Sequence, residues 1–154
     1  MAGTVEARLA ELGLTLPDVV PPLASYQPAV RSGVYVYTSG QLPMVDGKLA
    51  VTGKVGAEVT PERAKELAAR CALNALAAID SLVGLDRVVR VVKVVGFVAS
   101  AAGFTGQPGV INGASELFGA VFGDAGRHAR SAVGVAELPL GVPVEVEVIV
   151  EVTE

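Results

Sequence analysis

The chain has 154 residues, just over half of them apolar and 18% charged, with a net charge of −4, one cysteine and no tryptophan. That length predicts one domain, residues 1–154, able to bury about two-thirds of its unfolded surface without staples. The lone cysteine excludes an intrachain disulfide and a cysteine-ligated metal site, while scattered basic residues in an acidic chain leave no footprint for nucleic acid or an anionic membrane.

In chain order, Thr4 suits the N-cap of a short helix running to Leu12 and ended by Gly13. Leu16-Pro17 to Pro21-Pro22 is an extended connector. Residues 29–40 alternate as two short strands turning at Ser32-Gly33, because glycine supplies the positive φ of a tight hairpin. Asp46-Gly47 marks a second turn, with a minor strand over 48–51. The clearest helix spans 61–82: Thr60 is a good N-cap, Pro61 suits the first helical position, and Glu62 complements the positive end of the dipole. Ala64, Leu67, Ala68, Cys71, Ala75, Ile79 and Leu82 form its apolar stripe, which makes Cys71 an inert core thiol.

Residues 88–98 read as a valine-rich strand and 108–122 as a second long helix. Between them Gly103-Phe104-Thr105-Gly106 lacks the lysine of a phosphate-binding loop. His128 falls on an expected exposed loop. Two strands follow. In residues 130–135, Arg130, Ala132 and Gly134 share one face; in 144–152 the valines take one face and Glu145, Glu147 and Glu151 the other. Arg130 is a permanent cation beside nearly absent side chains, and the alternation lets Arg130 and Glu145 share a cleft. The order ββ(β)αβαββ predicts an α+β fold with both long helices on one sheet face. Valines on both parities of 88–98 leave the second face apolar, so a homo-oligomer is expected to cover it. No apolar run nears the roughly 20 residues of a membrane span, and the first residues lack a basic flank followed by an apolar core, so a cytoplasmic chain without membrane contact is expected.

Several short runs then recur together: Ser25-Tyr26, residues 29–33, Thr38-Ser39-Gly40-Gln41, Asn112 before Glu116-Leu117-Phe118, and Arg130-Ser131 through Leu138-Pro139 to Glu145-Val146-Glu147. In this order and spacing they resemble the RidA/YjgF family of reactive-intermediate imine deaminases, over roughly residues 20–152. The resemblance implies a chorismate-mutase-like fold, a mixed sheet with two long helices on one face, and a homotrimer whose sheets face each other and whose clefts lie between subunits. Residues 1–20 become an N-terminal extension and 21–154 the family core. The implied reaction is cofactor-free, metal-free hydrolysis of enamines or imines of amino acids to 2-oxo acids and ammonia. Arg130 would hold the carboxylate of an imino or oxo acid and Glu145 would orient or deprotonate water. Tyr26, Ser39, Gly40, Gln41 and Asn112 would bind substrate.

Three departures mark a longer branch. Ala132 stands where many relatives carry cysteine, Gln27-Pro28 follows Tyr26, and Leu140 follows Leu138-Pro139 in place of lysine. A thiol mechanism therefore has no residue here. The alternative is a trimeric module that binds a small carboxylate without turnover. An endoribonuclease has the acidic balance against it.

Overall fold

The computed structural model describes residues 3–154. Helix α1 (Thr4–Glu11) is followed by strands β1 (Ala29–Ser32) and β2 (Tyr35–Thr38) and by a small hairpin, β3 (Met44–Val45) with β4 (Lys48–Leu49). Then come α2 (Pro61–Val83), β5 (Val88–Ala99), α3 (Gln107–Phe122), β6 (Ala129–Val135) and β7 (Val144–Val152). The five long strands form one mixed sheet in the order β1-β2-β7-β5-β6, in which only β5 and β6 run parallel. A parallel neighbour needs a crossover, and α3 supplies it.

Local signals place most of these elements. Thr60 Oγ1 accepts the backbone N–H of Arg63 at 3.1 Å, a cap that contributes about 1 kcal/mol. Asp46 and Gly47 both take positive φ, 51° and 75°, the pair of angles that closes a two-residue hairpin with the twist of its strands. The expected cap at Thr4 is corrected. Thr4 lies inside α1, and Asp86 Oδ1 accepts the N–H of Val5 at 2.9 Å across 81 residues. No local pattern can announce a partner that distant.

The core lies between the sheet and the α2/α3 layer. Val144, Val146, Val148, Val150 and Val152 of β7 and Val91, Val94 and Val98 of β5 are all buried against Leu67, Cys71, Leu76, Ile79, Ile111 and Phe118 of the helices. Val91 and Val94 share that face although three residues apart, because β5 and β7 slip register between Val91 and Lys93. That irregularity accounts for Val91 and Val94 facing the same way despite their opposite parity, whereas Val95, level with Glu147, lies on the other face. Gly96 faces the same layer, and a methyl there would run into the Ile111 side chain, so glycine lets α3 approach closely.

On the other face no helix lies. Glu145 of β7 is level with Phe97 and Val133, Glu147 with Val95 and Ser131, and Ile149 with Lys93 and Tyr37. Val30, Tyr35, Tyr37 and Val133 stay exposed there. No helix among the described residues is long and apolar enough to cross a membrane.

Candidate functional site

Arg130 is the second residue of β6, level with Val94 and Val148, so its side chain leaves the sheet on the helix-covered face. Because β6 is an edge strand, that side chain reaches the start of α3 instead of being sealed in the core. Its Nη1 donates to Asn112 Oδ1 at 2.8 Å and to Ser115 Oγ at 3.1 Å, and its Nη2 donates to the Pro108 carbonyl at 3.3 Å. A guanidinium carries five N–H donors in a rigid plane. Three are therefore engaged, and one on Nε and one on Nη2 remain without an acceptor among the described residues. No carboxylate there lies within ion-pair distance of Arg130 either. Two free donors on adjacent nitrogens match the two oxygens of a carboxylate.

Asn112 and Ser115 reach Arg130 together because residues three apart share a helix face. Ser115 was not among the expected site residues, and its spacing from Asn112 is the signal that could have found it. His128 is corrected outright. It is half-buried rather than on an exposed loop, with its ring edge-to-face on Phe118 at a centroid distance of 6.0 Å. The reason is Gly126: a methyl there would strike the carbonyl of Phe118, so glycine lets the turn press on α3 and carry His128 inward. His128 lies two residues before Arg130, the strand spacing that puts both on one side.

The other expected residues gather elsewhere. Tyr26, Gly40, Gln41 and Glu145 line one pocket of about 40 Å³, with Val20, Pro21, Pro22 and Leu23 of the connector closing one wall. That volume is on the scale of a water or two. A methyl at Gly40 would overlap the Glu145 carboxyl, so only glycine admits that side chain. Burial, then repulsion from Glu147, raises the Glu145 carboxyl above the ordinary glutamate value of 4.5. Burial raises Glu147 as well. The Tyr26 hydroxyl accepts the N–H of Leu23 at 3.2 Å. Gln41 exchanges backbone bonds with Val146 and donates its side-chain amide to the Ser39 carbonyl at 3.3 Å. Ser39 does not line this pocket; its hydroxyl donates to the Gln27 carbonyl and its N–H to the Pro28 carbonyl.

Arg130 and Glu145 thus do not share a cleft within one chain. Parity along each strand was readable, but the relative parity of two strands depends on register. Val94 pairs with both Arg130 and Val148, which leaves Glu145, three residues from Val148, on the opposite face. Among the described residues no three His, Cys, Asp or Glu side chains cluster to hold a metal ion. The site chemistry is therefore a cationic fork with neutral supports on one face, and on the other a glutamate whose pKa burial and Glu147 raise.

Comparison with known proteins adds the relatives. A family model described as "YjgF/chorismate_mutase-like, putative endoribonuclease" matches residues 6–152. Protein TCP17 of Trypanosoma cruzi is 46% identical over 152 residues, covering 97% of this chain and 95% of that protein. The crystal structure of Atu1372 from Agrobacterium tumefaciens, described as of unknown function, is 48% identical with a TM-score of 0.90, covering 97% of this chain and 93% of that one. A structure from Shewanella oneidensis MR-1 described as a "putative endoribonuclease" is 32% identical with a TM-score of 0.94, covering 97% and 100%.

Proposed function

The chain belongs to the YjgF/RidA, chorismate-mutase-like family, and from that membership and the half-engaged guanidinium of Arg130 we propose that it hydrolyses imines and enamines of amino acids to 2-oxo acids and ammonia, without a cofactor. The single observation that carries the reading is the pair of donors left on Nε and Nη2 beside three that are pinned. A 2-imino acid presents a carboxylate to that pair and its imine carbon one bond further on.

The second element of the proposal is assembly. Arg130 and Glu145 leave the sheet on opposite faces, so a catalytic cleft containing both requires Arg130 of one copy and Glu145 of another. The apolar open face around Val95, Phe97, Val133 and Ile149 gives the copies a reason to associate. In a homotrimer this arrangement repeats three times. Water then attacks the imine carbon while Glu145 takes one of its protons, a task suited to a carboxyl whose pKa lies above the usual value. The carbinolamine collapses to the 2-oxo acid as its nitrogen, having gained both protons of the water, leaves as ammonia. Tyr26 and Gln41 wall the site and Asn112 holds Arg130 in place. Free imines already hydrolyse in water, so positioning alone supplies a useful acceleration.

The proposed setting is the cytoplasm, with small imino or oxo acids and further copies of the chain as partners. Ribonuclease action, the activity in the names of the family model and the Shewanella protein, has against it a net charge of −4 with no basic stripe. Carboxylate binding without turnover is the second reading; the separation of Arg130 from Glu145 within one chain favours it for any copy acting alone.

The test generates 2-iminopropanoate and longer imines in situ with an amino-acid oxidase and follows ammonia release with and without the protein. Acceleration is expected from the wild type. Arg130→Ala should lower it about a hundredfold, since two charge-assisted hydrogen bonds contribute about 1.5 kcal/mol or more each. Arg130→Lys should recover little, because a point charge cannot reproduce a planar fork. Wild-type turnover in an assembled Arg130→Ala protein would remove Arg130 from the site.

A further inference from the structure

We infer that Ser115 and His128 are positioning residues that aim the Arg130 fork through a one-way hydrogen-bond relay. The inference rests on the carboxylate-binding reading of Arg130 and deepens it. The direction of the relay follows from one end. His128 Nδ1 lies 2.7 Å from the Gly126 carbonyl oxygen; a carbonyl can only accept, which assigns the ring hydrogen to Nδ1. In the neutral ring Nε2 is then an acceptor. Ser115 Oγ lies 2.9 Å from Nε2 and must donate to it. Its lone pairs are thereby left for Arg130 Nη1 at 3.1 Å. Along the path Arg130 Nη1 to Ser115 Oγ, Ser115 Oγ to His128 Nε2 and His128 Nδ1 to the Gly126 carbonyl, each linking hydrogen has one acceptor.

Such a relay does for an arginine what a single acceptor cannot. Nη1 is held by two fixed oxygens, Asn112 Oδ1 and Ser115 Oγ, so both of its hydrogens are spent and the guanidinium cannot turn about its own plane without breaking a bond. The pair on Nε and Nη2 is the part left to face a ligand. Without His128, the Ser115 hydroxyl is free to rotate and to present its hydrogen toward the cation, which removes the acceptor from Nη1. The Phe118 ring packed edge-on against His128 keeps the imidazole from swinging away. An Arg130 side chain released from α3 regains rotamer freedom that a ligand must remove again, and affinity falls by that amount.

The probe is pyruvate, titrated calorimetrically into the intact protein, alongside imine turnover. Ser115→Ala and His128→Ala should each weaken pyruvate binding about tenfold. They should raise KM more than they lower kcat. His128→Gln, whose amide oxygen can accept from Ser115, should recover most of the affinity lost in His128→Ala, which a purely structural role does not predict. Because His128 is the sole histidine, ring 15N spectra read its tautomer without assignment: the wild type should show the Nδ1–H form, and pyruvate should shift Nε2. A dominant Nε2–H tautomer in the wild type overturns the inference even if the variants fail to fold. So does wild-type pyruvate affinity in folded Ser115→Ala and His128→Ala proteins, provided Arg130→Ala has lost it. Loss of no affinity in Arg130→Ala defeats instead the carboxylate reading itself.

Discussion

Replacing Gly113 with alanine tests whether the α2/α3 contact and the Arg130 site are one structure. A methyl built at Gly113 falls on the carbonyl oxygen of Lys65 and 2.9 Å from its carbonyl carbon. Carbon atoms in contact sit about 3.5–4.0 Å apart, so α3 has to retreat by roughly 1 Å. The obstacle is backbone and cannot rotate aside. Alanine gains up to about 1 kcal/mol over glycine in a helix interior, whereas overpacking of this kind costs about 1–3 kcal/mol, occasionally more. A net loss of about 1–2 kcal/mol lowers the Tm of a chain this size by roughly 2–8 °C. Gly119 in the same helix is the control: a methyl there meets nothing within 4 Å, so Gly119→Ala should gain about 0.5–1 kcal/mol and melt higher. Asn112 and Ser115 flank Gly113, so the same retreat pulls both acceptors off Arg130, and pyruvate affinity should fall tenfold or more with stability. Calorimetric melts and pyruvate titrations on one preparation, at one protein concentration, read both effects. A Gly113→Ala protein that melts at or above wild type, or a Gly119→Ala protein destabilised equally, refutes the reasoning.

Three further outcomes follow from the same geometry. The acid limb of kcat/KM should lie above the ordinary glutamate value of 4.5, because the catalytic form of Glu145 is ionised and burial and Glu147 favour its neutral form. Glu147→Gln removes the second cause and should move that limb toward lower pH, and a pH-rate profile unchanged by the substitution would take Glu145 out of the role of base. Cys71 is fully buried on the sheet-facing side of α2, where desolvation first and Glu145 second push its thiol well above the ordinary range; an aromatic disulfide reagent should label it only in denaturant, and rapid labelling of the native protein would contradict that burial. Sedimentation equilibrium at micromolar concentration should return three times the chain mass, whereas a concentration-independent single-chain mass would leave Arg130 and Glu145 permanently apart.

Much of this molecule was legible before any coordinates. The cap at Thr60, the stripe of α2 from Ala64 to Ile79 and the two-residue turn at Asp46-Gly47 are local events, decided by residues within a few positions of one another, and the sequence states them directly. Alternation in residues 144–152 likewise determined that valines would be buried and glutamates would face away, because strand parity is a property of one chain segment. The family motifs were also linear, which is why Tyr26, Gly40, Gln41 and Glu145 could be named and then found around one pocket. Other features depend on pairs that sequence distance hides. Asp86 caps α1 from 81 residues away, Gly126 turns His128 inward by fitting under Phe118, and the register of β5 between β6 and β7 places Arg130 and Glu145 on opposite faces. A side-chain period of two specifies each strand's faces but not which face matches its neighbour's, and that phase is set only when strands pair and a core forms on one side. Composition and local pattern therefore determined the elements and the candidate chemistry, while tertiary packing alone decided which of those groups meet.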